Sequence, residues 1–190
     1  MQRWIKMEWF LTGHPAISAP PNVYVSFVPG DDIDYSPTEF THLSRADAEN
    51  DVTGQFKPSL EEESAEWKEP DRNLFFYHYN STALRAFVDI YRRNTVYNLT
   101  RRNCSSTVIL SLDASVEGVL GTSSVWRTLF RLLSDPAMWL LAMWRSRAEA
   151  MTWTPGLVLD YTQTLQQVLE GHSQSWFARL WDIWYEYETH

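Results

Sequence analysis

Hydrophobic and polar positions change rhythm several times along the chain, and each change marks an element. The opening WIKMEWFLTGHPAIS and the following NVYVSFVPG are two runs rich in Val, Ile, Tyr, Phe and Trp, parted by Pro20-Pro21, which predicts two adjacent strands. From residue 31 to residue 72 no period persists. Pro37, Gly54, Pro58 and Pro70 interrupt it, predicting a long, partly irregular insertion. NLFFYHYN is a third strand candidate, and Asn80 or Ser81 can cap a helix whose Leu84, Phe87, Val88 and Tyr91 fall on one face.

Beyond Cys104, the spacing of Val108, Ile109, Leu112 and Val116 suits a helix, although Thr107-Val108-Ile109 would also tolerate a strand. Gly118 and Gly121 end that element. Trp126, Leu129, Phe130 and Leu133 then form a helical stripe, and Asp135-Pro136 starts a second helix crowded with Met138, Trp139, Leu141, Ala142 and Met143. Thr154-Pro155 is a further helix start, with Leu157, Tyr161, Leu165, Val168 and Leu169 on its apolar face and Gly171 as its stop. SQSWFARLWDIWYEYE repeats the pattern with Phe177, Leu180, Trp181 and Trp184. Strands early and helices late predict the α+β class: a core over residues 1–122, carrying the insertion at 31–71, with a helical region at 123–190 packed on it.

Composition narrows the reading. With 190 residues and 44% apolar side chains, the chain is long enough to close one sizeable core. The net charge of −8 argues against a nucleic-acid surface. That charge is local, because residues 31–71 hold 13 Asp or Glu against three Lys or Arg. Such a segment is a solvated loop, a docking surface for a protein partner, or a cover over a site. Seven of the ten tryptophans lie between residues 126 and 184, which suits either core packing or an aromatic surface in contact with lipid headgroups or a greasy ligand. The longest apolar run, AMWLLAMW, is too short to span a bilayer. No leader pattern is evident at the N-terminus, so synthesis in the cytoplasm is expected, with export by a leaderless route left open.

Cys104 is the single cysteine, so it makes no internal disulfide; no Cys/His cluster has zinc spacing, so neither a metal nor another cofactor is expected. Asn103 is among the best N-cap residues, which puts Cys104 in the first turn of the predicted helix. There the helix dipole favours thiolate, and backbone N–H groups around Asn103 and Ser105 could cradle an oxyanion. Arg101 and Arg102 add positive charge on the approach. A buried free cysteine can equally be a small hydrophobe. Among the histidines, His14 lies beside Gly13 at the end of a strand run; His42 falls in the acidic insertion, His78 after an aromatic run, and His172 and His190 in a turn and at the end of the chain. The Asn-x-Ser/Thr sequences at Asn80, Asn98 and Asn103 carry little weight without a leader.

TGHPAIS, followed by NVYVSFVP and later by YNLTRRNCSS, resembles the permuted members of the NlpC/P60-type papain-like superfamily, including the lecithin:retinol acyltransferase-like branch. The resemblance covers roughly residues 9 to 116 through two short anchors, with a looser match at WTPGLVLDYTQTL. It implies a permuted papain-like domain with a small antiparallel sheet and, in this chain, a Trp-rich helical C-terminal extension. By that similarity Cys104 is the nucleophile and His14 its base. The third polar group has no clear match, with Ser26 in about its place and Tyr24 as its rival. The expected activity is that of a thiol-dependent acyl hydrolase or acyltransferase on a lipid ester or on a peptide or peptidoglycan amide, with peripheral membrane contact as a further expectation. The alternative is a non-catalytic membrane- or protein-binding module that works through its aromatic helices.

Overall fold

A computed structural model describes residues 5–10, 13–30, 47–67, 69–119, 135–150 and 152–170. Strand β1 (Ile5–Phe10) pairs antiparallel with β2 (His14–Ala19), and β2 with β3 (Val23–Val25). The first aromatic run is thus a hairpin rather than one strand. Gly13, at φ 77, takes the left-handed conformation beside its turn, and Asn22, at φ 61, does so beside the Pro20-Pro21 corner.

At Ser26 the second run breaks. Strand β4 (Phe27–Pro29) leaves the first sheet and pairs with β5 (Val52–Phe56), which pairs in turn with β7 (Val96–Tyr97). Strand β6 (Arg72–Phe76) lies on the other side of β1, so the two antiparallel sheets run β3-β2-β1-β6 and β4-β5-β7. The expected irregular insertion therefore contains more order than its broken period suggests. It supplies β5 and helix α1 (Leu60–Trp67).

Helices α2 (Ser81–Tyr91), α3 (Cys104–Ser115), α4 (Pro136–Ala150) and α5 (Pro155–Glu170) follow. Asn80 caps α2 through its side chain, and Asp135 Oδ1 accepts from Ala137 N at 3.0 Å at the start of α4. The sequence stripes at 126–133 and 173–188 lie outside the described residues. So does Gly121, while Gly118 beyond α3 has φ 75.

The pleat gives the first sheet two different faces. Met7, Ile17 and Val25 share one buried cluster with Val108, Ile109 and Leu112 of α3, Leu141 and Trp144 of α4, and Val158 and Leu165 of α5. Residues one step out of phase, Glu8, Ala16, Ser18 and Tyr24, lie on the opposite face, where Leu60 of α1 packs against Ala16 and Tyr24. The chain is therefore α+β, with its main core on one side of the larger sheet and a buried polar layer on the other.

Candidate functional site

Asn98 builds the approach to Cys104. Its Oδ1 accepts from Thr100 N and Arg101 N at 3.1 and 3.0 Å, and its Nδ2 donates to Asp51 Oδ1 at 2.8 Å. Asn103 then opens α3. Its Oδ1 accepts from Ser106 N at 2.8 Å while Ser106 Oγ accepts from Asn103 N at 2.9 Å, closing a capping box in which serine takes the place usual for Glu or Gln. Asn103 Nδ2 also donates to Leu99 O at 2.8 Å and Trp153 O at 3.0 Å, tying the helix start to the segment before α5. Asn98 and Asn103 are buried and committed to these bonds, which gives their Asn-x-Ser/Thr sequences a structural reason.

Cys104 lies in the first turn of α3, half-buried, with Sγ 3.8 Å from Ser105 Oγ. Burial pushes its thiol up; hydrogen bonds from the Ser105 side chain, the Ser105 and Cys104 backbone N–H groups and the Tyr97 side chain pull it down by less. Burial thus outweighs the helix start that predicted a thiolate, and the resting group is a thiol. The two preceding arginines are used elsewhere. Arg101 Nη2 pairs with Asp51 Oδ1 at 2.8 Å, and Arg102 donates to Tyr91 O and Asn94 O with its guanidinium 3.7 Å from the Tyr91 ring centroid.

His14 opens β2 and is buried. Its Nε2 lies 2.9 Å from Ser26 Oγ and 3.3 Å from Glu63 Oε1, and Tyr24 OH donates to Glu63 Oε2 at 2.6 Å. Both residues named for the third position are therefore in this network, Ser26 on the imidazole directly and Tyr24 through Glu63. Burial holds the imidazole well below the usual histidine range, at about 3, and the charge of Lys57 acts in the same direction. His14 is therefore neutral at neutral pH. Burial and the nearby Glu63 and Glu8 together push the Tyr24 phenol far up. Farther along the same face, Ser18 Oγ donates to Glu8 Oε2 at 3.0 Å and Lys6 Nζ lies 2.9 Å from Glu8 Oε1.

Two sets of contacts are thus defined: His14, Ser26, Tyr24 and Glu63 join β2 and β3 to α1, and Cys104 and Ser105 stand together at the start of α3. Both sets border one short segment. A Cβ on Gly13 would stand 3.6 Å from Pro155 Cβ, Asn103 bonds to Trp153, and Thr152 Oγ1 donates to Thr100 O at 2.6 Å. His78 is exposed, and His42, His172 and His190 lie outside the described residues.

Sequence reasoning missed Glu63 and Tyr97. A signal existed for Glu63, because Leu60, Glu63, Ser64 and Trp67 have helical spacing inside the charged run. Among the described residues no His/Cys/Asp/Glu group could hold a metal ion, and no helix is long and apolar enough to cross a membrane. Comparison with known protein families, curated proteins and solved structures finds no match.

Proposed function

We propose that the chain is a thiol-dependent acyl hydrolase or acyltransferase, in which Cys104 attacks the carbonyl of a lipid ester or a peptide amide. The observation that carries this reading is the solitary cysteine in the first turn of a side-chain-capped helix, where the backbone N–H groups of the first turn have no partner within the helix. Those N–H groups are the donors a developing oxyanion would use. His14 takes the thiol proton, the thiolate forms a thioester and expels the alcohol or amine, and water or a second acceptor releases the acyl group. Ser26 supports the base through its contact at Nε2. The resemblance to permuted papain-like enzymes supports the same assignment and the same fold. Exposed Trp139 and Met143, one turn apart on α4, suit an apolar acyl substrate at a membrane surface. The acidic charge of the 31–71 segment suits a protein partner.

The resting arrangement sets a condition. Proton transfer requires the imidazole to reach the thiol directly or through one bridging water.

A second reading has its own support in the burial that raises the Cys104 thiol and in the engagement of His14 under α1. In that reading Cys104 is inert, and the exposed aromatic surface binds a membrane or a protein. The two are separated by the pH dependence of iodoacetamide labelling at Cys104 in the parent chain and in His14→Ala. Acyl transfer requires labelling below the free-cysteine pKa of about 8.5 that shifts upward when the histidine is lost. Slow labelling that ignores His14 establishes the second reading. A panel of phospholipid esters and peptide amides, with Cys104→Ser as control, then assigns the substrate class.

A further inference from the structure

His14 Nε2 has two neighbours of different chemical kind. Ser26 Oγ, at 2.9 Å, can donate or accept, so it is compatible with either imidazole tautomer. Glu63 Oε1, at 3.3 Å, is buried and makes no hydrogen bond that satisfies ordinary geometry. The other carboxylate oxygen takes the Tyr24 hydroxyl at 2.6 Å, a length typical of a bond to an ionised carboxylate. If the proton sat on Nδ1, an unprotonated Nε2 would stand 3.3 Å from Oε1 in a buried site, two acceptors with no proton between them. With the proton on Nε2 the pair attracts, and Ser26 shares the same N–H.

We infer that Glu63 is the positioning residue that fixes the tautomer of His14, holding the proton on Nε2 so that Nδ1 carries the lone pair. The carboxylate comes from α1, inside the acidic segment, and Leu60 seats that helix against Ala16 and Tyr24. Its catalytic consequence rests on the assignment of His14 as base: when Nδ1 gains the thiol proton, the same carboxylate faces the resulting imidazolium. The tautomer itself does not depend on that assignment. Lys57, Tyr24 and Glu8 are further titratable groups that bear on this site, Lys57 through its charge on His14, Tyr24 through its bond to Glu63, and Glu8 through its charge on the same face beside Glu63 and Tyr24.

Tyr24 makes the inference sharp. In Glu63→Gln the Tyr24 hydroxyl would hold the amide oxygen where Oε2 now lies, leaving the amide NH2 to face Nε2. That nitrogen would then have to accept, and the proton would move to Nδ1. Long-range 15N–1H correlation of the imidazole on the full chain near pH 7 reads this directly. The expected results are the Nε2–H form in the parent, in Ser26→Ala and in Tyr24→Phe, and the Nδ1–H form in Glu63→Gln. An Nδ1–H form in the parent, or a tautomer that changes in Ser26→Ala and not in Glu63→Gln, overturns the inference. The parent and Ser26→Ala spectra decide it even where Glu63→Gln does not fold. Iodoacetamide labelling at pH 7 provides the functional arm, with a loss of about tenfold or more expected in Glu63→Gln from the wrong tautomer. Labelling insensitive to His14→Ala beside an intact tautomer pattern defeats the enzyme reading while leaving the role of Glu63 in place.

Discussion

Replacing Asn103 tests how firmly the start of α3 is built. Asn103→Ala removes a side-chain N-cap, which costs about 1 kcal/mol, and takes the donor from two carbonyls, Leu99 O at 2.8 Å and Trp153 O at 3.0 Å. Each of those bonds contributes about 1 kcal/mol net, so the total is about 3 kcal/mol. Asn80 provides the internal comparison. It also caps a helix, through Ala83 N at 3.0 Å, but its amide makes only an exposed 3.3 Å bond to Glu117 O, so Asn80→Ala should cost about 1 kcal/mol. Asn103→Asp keeps the capping oxygen and loses both donors, placing it between the two, at about 2 kcal/mol. Urea unfolding of the three variants measures the differences, and for a chain of this length Asn103→Ala should melt about 6–12 °C below the parent. Equal costs for the two alanine variants, or less than about 1 kcal/mol at Asn103, would refute the claim that its amide ties α3 to the Trp153 segment.

Two further perturbations follow from the packing and from the buried imidazole. A Cβ on Gly54 would meet Phe27 Cε2 at 2.6 Å and Tyr97 Cβ at 2.9 Å, so Gly54→Ala should cost about 1–3 kcal/mol by urea unfolding and separate β5 from its neighbours; a neutral substitution would show that the second sheet is looser than drawn. His14 titrates near 3 in the folded chain against an ordinary 6.5, so between those values the native state binds fewer protons than the unfolded state. Its contribution is complete above about pH 6.5 and is lost as pH falls toward 3, at no more than about 1.4 kcal/mol per pH unit. The urea midpoint of the parent should therefore fall between pH 7 and pH 5 more steeply than that of His14→Gln, and parallel profiles would contradict a buried neutral imidazole.

The elements legible in the sequence were those whose periods or caps are local. Asn80 before Leu84 and Val88, Asn103 before Val108 and Leu112, and Pro136 and Pro155 at N1 each carried their start signal beside their apolar face, and each opens a helix. Those apolar positions of α2, α3 and α5 are buried, whereas Trp139 and Met143 of α4 are exposed. What failed depended on partners distant in sequence. Phe27 belongs to a different sheet from Val25 because Val52–Phe56 pairs with it, and nothing within NVYVSFVP marks the break at Ser26. Charge hid α1 in the same way. Glu61, Glu62 and Glu66 are exposed, but the intervening Glu63 is fully buried because Tyr24 and His14, thirty-nine and forty-nine positions earlier, supply its surroundings.

The candidate site shows the same limit in a more consequential form. Residue types and a local cap pointed to Cys104 and His14, and only the resemblance pointed to Ser26, with Tyr24 as its rival; Ser26 Oγ lies 2.9 Å from His14 Nε2. Which face of β2 carries the imidazole is a question of register, and one step of the pleat reverses it. Ile17 pairs with Val25 and faces the core, so Ser18 and Ala16 face α1, and His14 follows them in phase. The resemblance to permuted papain-like enzymes requires His14 and Cys104 to meet, whereas the pairing of β1, β2 and β3 sends the imidazole toward Glu63. The point at which the two sets of contacts approach each other is the segment 152–155, which borders Gly13 and Asn103 alike.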